Sequence, residues 1–227
     1  MSESVPIFSF SIGSFPINIT QEIVIQWVVI LILGIAAYLL TRNLSRVPGK
    51  KQVVLEMIYN YISGLVDNNM GDEFVNFIPY VGTLVVYLLV LNLTGLVGIP
   101  PVTQNLNVTA GLAITSFLVI NGTAIKRNGP FGYAKGLAEP FAFMLPLNIM
   151  ERFVLPVSLC LRLFGNMLAA TILIDKIYEA LRSVNWFAQI GAPIFVHGYF
   201  DLFDGTIQML VFTMLTINYI KLVADEH

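Results

Sequence analysis

Apolar residues run along this chain in long unbroken stretches, unlike the short amphipathic periods of a soluble domain. A helix crossing a hydrocarbon core about 30 Å thick needs roughly 20 predominantly apolar residues. Five stretches qualify, at about 23–40, 77–99, 108–125, 153–174 and 192–222. Charges and prolines bound them: Arg42 follows the first, Pro100 and Pro101 close the second, and Lys126 and Arg127 close the third. Arg152 and Asp175 flank the fourth, and the fifth carries His197, Asp201 and Asp204 in its first half. Between the first two spans, 53–66 (VVLEMIYNYISGLV) puts Val53, Met57, Ile58, Tyr61 and Leu65 near one side of a helix. That segment is too short and polar to span, so it reads as an interfacial amphipathic helix. Residues 137–148 (LAEPFAFMLPLN) hold Pro140 and Pro146 and read as a broken lead-in to the fourth span. The opening MSESVPIFSF has neither basic residues nor a small-residue cleavage site, so the first span is expected to be retained. The pattern predicts an all-α integral membrane protein, one membrane domain over 1–227 with five transmembrane helices and one interfacial helix.

Composition agrees and removes other classes. Hydrophobic residues make up 56% of the 227, charged residues 11%, and the mean hydropathy is +0.78. A formal charge of −2 leaves no basic surplus for nucleic acid. A single cysteine, Cys160, and two histidines supply neither a disulfide framework nor a zinc or iron–sulfur ligand set. No phosphate-cradling nucleotide loop occurs, and no cofactor is expected.

The basic residues set an orientation, because short cytoplasmic loops retain Lys and Arg. Arg42, Arg46, Lys50, Lys51, Lys126, Arg127, Lys135, Arg152 and Lys221 fall on one side, while only Lys176 and Arg182 fall on the other. The reading is an outside N-terminus and a cytoplasmic C-terminus in the cell membrane.

The remaining base, Arg162, sits mid-way along the fourth apolar run. An arginine at the bilayer centre costs about 2.5–3.5 kcal/mol even on insertion scales, so intramembrane charges are functional by default. A purely packing ion pair with an acid on another helix is the bland alternative. A voltage sensor would repeat arginine along the helix, and this span does not. Ser158 and Asn166 lie one turn either side and share the face of Arg162. Glu151, with Asn148 nearby, falls about 16 Å toward the cytoplasm, and Thr171 about 13 Å toward the outside. On the fifth span Asp201, Asp204 and Gln208, spaced i, i+3, i+7, line one helical face. They suggest an aqueous half-channel from outside, whereas Gln208 alone is also explained by an interhelical hydrogen bond. His197 fits an interfacial or core histidine better than a relay. Asn92 and Asn121 read as packing hydrogen bonds, with the lining of a water path as the alternative for either, and Gly165 as a place of close approach. A fixed positive charge between two offset polar paths blocks direct cation flow, so a moving carboxylate on another subunit is required.

The stretch SLCLRLFGNMLA (Ser158 to Ala169) resembles the signature of the subunit a family of rotary F-type ATP synthases, and the likeness extends through LSRVPGKKQVVLE, NLNVT and IQMLVFTMLTINYI. The resemblance implies five spans and an interfacial helix beside a ring of c subunits, the last two spans forming a long tilted hairpin against it. It implies that Arg162 displaces the ion from each ring carboxylate, with Asn166 and Gln208 as polar companions. Thr171, Asp201, Asp204 and His197 fall to the outer half-channel, and Asn148 and Glu151 to the inner one. Peripheral-stalk b subunits, the rest of the complex and membrane lipid are the implied partners; ATP chemistry belongs to other subunits. The family often carries an acid or histidine where this chain has Thr171, and His or Glu where it has Asp201. That departure argues against an acid–histidine pair across two helices and leaves both H⁺ and Na⁺ open as the coupled ion. The alternative from another class is an autonomous transporter or channel with Arg162 as an anion site, which favours internal repeats that the sequence lacks.

Overall fold

The computed structural model describes residues 6–12, 15–99, 101–136, 141–184 and 195–225. They group into two compact units, within Met1–Ile58 and Tyr59–His227. Five helical segments are long and apolar enough to cross a membrane: Gln21–Thr41, Asp72–Val97, Leu106–Tyr133, Leu145–Arg182 and Phe195–Ala224. Each of the five expected spans falls within or largely overlaps one of these segments; the first residues of the fifth, 192–194, and part of the proline-broken lead-in, 137–140, lie outside the described residues.

In the first unit, β1 (Pro6–Ile12) and β2 (Phe15–Thr20) form an antiparallel hairpin with Ile12 opposite Phe15 and an irregularity between Pro6 and Phe8. The sequence reading did not include it, although PIFSFSI and FPINIT alternate apolar and polar residues with the period of a strand. Helix α1 (Gln21–Thr41) is apolar on every side and buries only Val29, as a lipid-facing span does. A reciprocal clamp follows it. The Ser45 N–H donates to Gln52 Oε1 at 3.0 Å, and Gln52 Nε2 donates to Ser45 O at 2.9 Å and to Glu56 Oε1 at 2.9 Å. This clamp turns the chain into α2 (Lys50–Met70).

Helix α2 is longer than the expected 53–66, and it buries a second stripe beside the apolar face expected of an interfacial helix. Ile62, Val66 and Met70, spaced i, i+4, i+8, enter the core, whereas Val53, Met57, Ile58 and Tyr61 stay exposed. Helix α3 (Ile78–Asn92) starts with Pro79 in its first turn, where a missing N–H costs nothing, and is extended by 3₁₀ turns at Asp72–Phe77 and Leu93–Val97. Gly98, at φ 79°, ends it in the left-handed region.

Helix α4 (Leu106–Gly136) is divided by non-helical Gly129 (φ 72°, ψ 164°) followed by Pro130, so the membrane-crossing part stops soon after Lys126 and Arg127. The Asn121 amide bridges that break, donating to Phe117 O at 2.7 Å and accepting from Tyr133 Oη at 2.7 Å. This is a packing hydrogen bond, as expected of Asn121, made within α4. Helix α5 (Leu145–Val184) runs 40 residues, with Pro146 tolerated in its first turn and Pro156 inside it. The chain closes with a π-helical turn, Gly198–Asp204, leading into α6 (Gly205–Asp225). Helix α4 packs against both α5 and α6, and α3 against α6. Ile62, Leu84, Leu88, Ile120, Leu159, Leu163, Phe212 and Ile217 form the shared core.

Candidate functional site, the open flank of α5 and the π turn

Helix α5 buries Leu155, Leu159, Leu163 and Met167, one per turn. Ser158, Arg162 and Asn166 each precede a seam residue by one position, about 100° round the helix, so the packing that fixes the seam also carries them onto its flank. There Arg162 and Asn166 are exposed and Ser158 half-buried. Among the described residues no hydrogen bond or ion pair reaches the Arg162 guanidinium, so none of the described acids forms a packing ion pair with it. The flank is lined by small residues. A Cβ added to Gly165 would meet nothing within 4 Å, and Ala169 is exposed. Glu151 is exposed and Asn148 half-buried on the first turns of the same helix.

The other group of polar residues lies where the chain re-enters the bundle. Asn92, wholly buried at the end of α3, donates from Nδ2 to Gly205 O at 2.9 Å and accepts from Thr103 Oγ1 at 3.0 Å. This interhelical bond matches the role expected of Asn92. It also fixes the point where the π turn becomes α6, since a Cβ on Gly205 would stand 3.1 Å from the Asn92 Cβ.

Upstream of Gly205 the helix is π and not α, so the expected single face for Asp201, Asp204 and Gln208 is re-phased. The wider turn directs Asp201 inward at 3% exposure, leaves Asp204 half-buried, and returns Gln208 to the interior at 7%. The Asp201 carboxylate occupies the space where Gly95 lacks a side chain: a Cβ there would lie 2.5 to 2.7 Å from its atoms. His197 Nδ1 and Asp201 Oδ2 are 2.6 Å apart, and His197 Nε2 lies 3.2 Å from Tyr178 Oη on α5. His197 is thus no isolated interfacial ring, and an acid–histidine pair exists after all, within one element. Thr171 gives its hydroxyl proton to Met167 O of its own helix at 2.9 Å.

Tyr178, Gly95 and Thr103 escaped the sequence reading. Tyr178 was within reach of it, because it lies seven residues beyond Thr171 and therefore on the same helical face. Gly95 and Thr103 are meaningful only through tertiary approach, which no local pattern encodes.

Nearer the last residues, Lys221 Nζ donates to Asn69 O at 3.1 Å, placing a cation at the carbonyl end of α2 and tying α6 to it. Arg127 is paired with Glu73 at 3.0 Å and stacks over Phe74 at 4.2 Å.

A family profile described as ATP synthase A chain matches residues 23–221. Among curated proteins, ATP synthase subunit a of Moorella thermoacetica is 35% identical over 98% of this chain and 98% of its own length. The sodium ion specific ATP synthase subunit a of Propionigenium modestum is 34% identical over 91% of this chain and 74% of its own. ATP synthase subunit a 2 of a Bradyrhizobium species is 30% identical over 93% of this chain and 91% of its own. With an exposed arginine at the middle of its longest helix and matches over nearly its whole length, the chain belongs to the ATP synthase A chain family.

Proposed function

We propose that this chain is the ion-translocating stator subunit of a rotary F-type ATP synthase, working as one membrane domain and itself without catalytic activity toward ATP. The observation that carries this reading is the exposed flank of α5, where Arg162, with no ion pair among the described residues, stands beside Ser158, Gly165, Asn166 and Ala169. In lipid such a charge is unfavourable, so a partner with a carboxylate must cover it, and small neighbours allow that partner close approach. A ring of c subunits fits both demands. Each ring carboxylate, on meeting Arg162, gives up its ion in exchange for the guanidinium; rotation then carries it away to be reloaded.

Arg162 also separates two paths. Asn148 and Glu151 serve the cytoplasmic one, while Thr171, His197, Asp201 and Asp204 serve the outer one, with Gln208 beside the arginine. Helix α5 would rise about 60 Å, twice the hydrocarbon thickness, which favours a strongly tilted course against the ring for α5 and α6. The basic residues put the N-terminus outside and the C-terminus in the cytoplasm, with peripheral-stalk b subunits and lipid as further neighbours. The exposed apolar stripe of α2, Val53, Met57, Ile58 and Tyr61, suits the interface.

Each elementary charge crossing 100 mV releases about 2.3 kcal/mol, so a leak past Arg162 dissipates the energy that several ions must supply together. In sealed liposomes holding the whole complex, Arg162→Ala is expected to abolish ion-driven ATP synthesis while the complex still assembles. Synthesis at the parental rate would refute the assignment.

A further inference from the structure

We infer that the groove between the 3₁₀ turn at Asp72–Phe77 and the basic end of α4 binds one anionic glycerophospholipid, its phosphate on Lys126 and Arg127 and an acyl chain along Gly122, Val119 and Leu118. The inference rests on α4 lying in the membrane and not on the stator role, so the two can fail separately.

The groove has a volume of about 590 Å³. Its wall on α4 consists of two adjacent stripes spaced i, i+4, i+8: Leu118, Gly122 and Lys126, and Val119, Thr123 and Arg127. Both stripes pass from an aliphatic residue through a small one to a cation. The facing wall is graded in the same sense, from Phe77 through Asn76 to Glu73, and the Arg127–Glu73 pair at 3.0 Å sets the two polar ends at one level. This is the polarity of a phospholipid read from acyl chain to headgroup, and basic pockets between membrane helices suit such headgroups. Length decides between a lipid and a helix of another subunit. From Leu118 to Lys126 the helix rises about 12 Å, close to the ~15 Å of one leaflet and less than half of what a crossing helix covers. Gly122 keeps the middle of the groove open, since a Cβ there would meet nothing within 4 Å.

Charge selects the headgroup. Arg127 is held between Glu73 and the ring of Phe74, whose centroid lies 4.2 Å away, so its position is fixed and its charge largely balanced. Lys126 is exposed, and among the described residues no acid pairs with it. Lys126 and Arg127 against Glu73 leave the groove a net charge of +1, which one phosphodiester anion neutralises. A zwitterionic headgroup brings its own cation and leaves that charge uncompensated. Free phosphate would meet the cations but leave the apolar stripe of Leu118 and Val119 uncovered. The two cations also end the apolar run of α4, just before its break at Gly129 and Pro130, which sets them at headgroup depth.

The test uses the purified whole complex in phosphatidylcholine nanodiscs doped with phosphatidylglycerol or phosphatidylcholine that carries a photoactivatable diazirine on its acyl chain. After irradiation, labelled peptides of this chain are quantified by mass spectrometry, and the yield with the glycerol probe is divided by the yield with the choline probe. That ratio is expected to be about fivefold higher over 118–123 than over 28–40 of α1, whose exposed apolar surface meets bulk lipid. Lys126→Gln is expected to bring the groove ratio down to that of α1, and Lys126→Arg to keep it. Gly122→Leu, which fills the groove with both cations in place, is also expected to lower it. Equal ratios in the groove and on α1 in the parent, or a groove ratio that Lys126→Gln leaves unchanged, would overturn the site. Absence of labelling over 118–123 while α1 is labelled normally would mean that another subunit covers the groove, and would overturn it as well. None of these readouts depends on ion transport, so the stator assignment stands or falls by Arg162→Ala alone.

Discussion

Gly95 illustrates how much of the site depends on a side chain that is missing. Its Cα side faces the Asp201 carboxylate so closely that a methyl group would overlap all three of its atoms. Gly95→Ala must therefore displace Asp201 or the turn after α3, and is expected to lower ATP-driven ion pumping in the assembled complex to a level near that of Asp201→Asn. Parental pumping rates by Gly95→Ala would mean the carboxylate can move without consequence. Asn92 offers the structural counterpart. It is wholly buried and bonds both Gly205 O and Thr103 Oγ1. Asn92→Leu takes the acceptor from the buried Thr103 hydroxyl and the interhelical donor from Gly205 O, at about 1–3 kcal/mol, so the complex should lose thermal stability, read as a lower midpoint for dissociation of the subunit. At this scale Arg162 and Asp201 were legible in the sequence, because a charge in an apolar run declares itself. Gly95 was not, since its role lies in what approaches it.

Among the elements, α5 does two jobs with two faces of one helix. Its seam of Leu155, Leu159, Leu163 and Met167 packs inward, and the flank one residue earlier carries Ser158, Arg162 and Asn166 outward. The faces should separate experimentally. Leu163→Ala opens a cavity that costs about 2–5 kcal/mol, so it is expected to reduce the amount of assembled subunit while the ion-to-ATP coupling of what remains is unchanged. Uncoupling by Leu163→Ala would show that seam and flank are not independent. Span existence was readable here because apolar length is a strong signal. The inward stripe of α2, Ile62, Val66 and Met70, was not, since the more strongly apolar face of that helix is a different one. Nor was the π turn: the i, i+3, i+7 spacing of Asp201, Asp204 and Gln208 assumes 3.6 residues per turn, and the wider turn over Gly198–Asp204 breaks that assumption.

For the molecule as a whole, the separation of two aqueous paths has meaning only if each opens to its own side, which makes membrane orientation the property on which the rest turns. Lys50 and Lys126 belong to the basic set assigned to the cytoplasm, and Lys176 to the sparse set assigned outside, beyond Thr171 on the side of the outer path. The native thiol offers little interference, because Cys160 is buried with its sulfur 3.5 Å from Thr109 Oγ1. Single cysteines at these positions can thus be labelled cleanly with a membrane-impermeant maleimide. In right-side-out vesicles Lys176→Cys should react and Lys50→Cys and Lys126→Cys should not, and in inverted vesicles the pattern should reverse. Reversal of the whole pattern would exchange the two half-channels, putting Asp201 and His197 on the cytoplasmic path and Glu151 on the outer one. Labelling of Lys50→Cys and Lys126→Cys from opposite sides would instead remove one of the two spans between them. The basic residues favour the first arrangement strongly enough that the experiment decides between a working half-channel assignment and none.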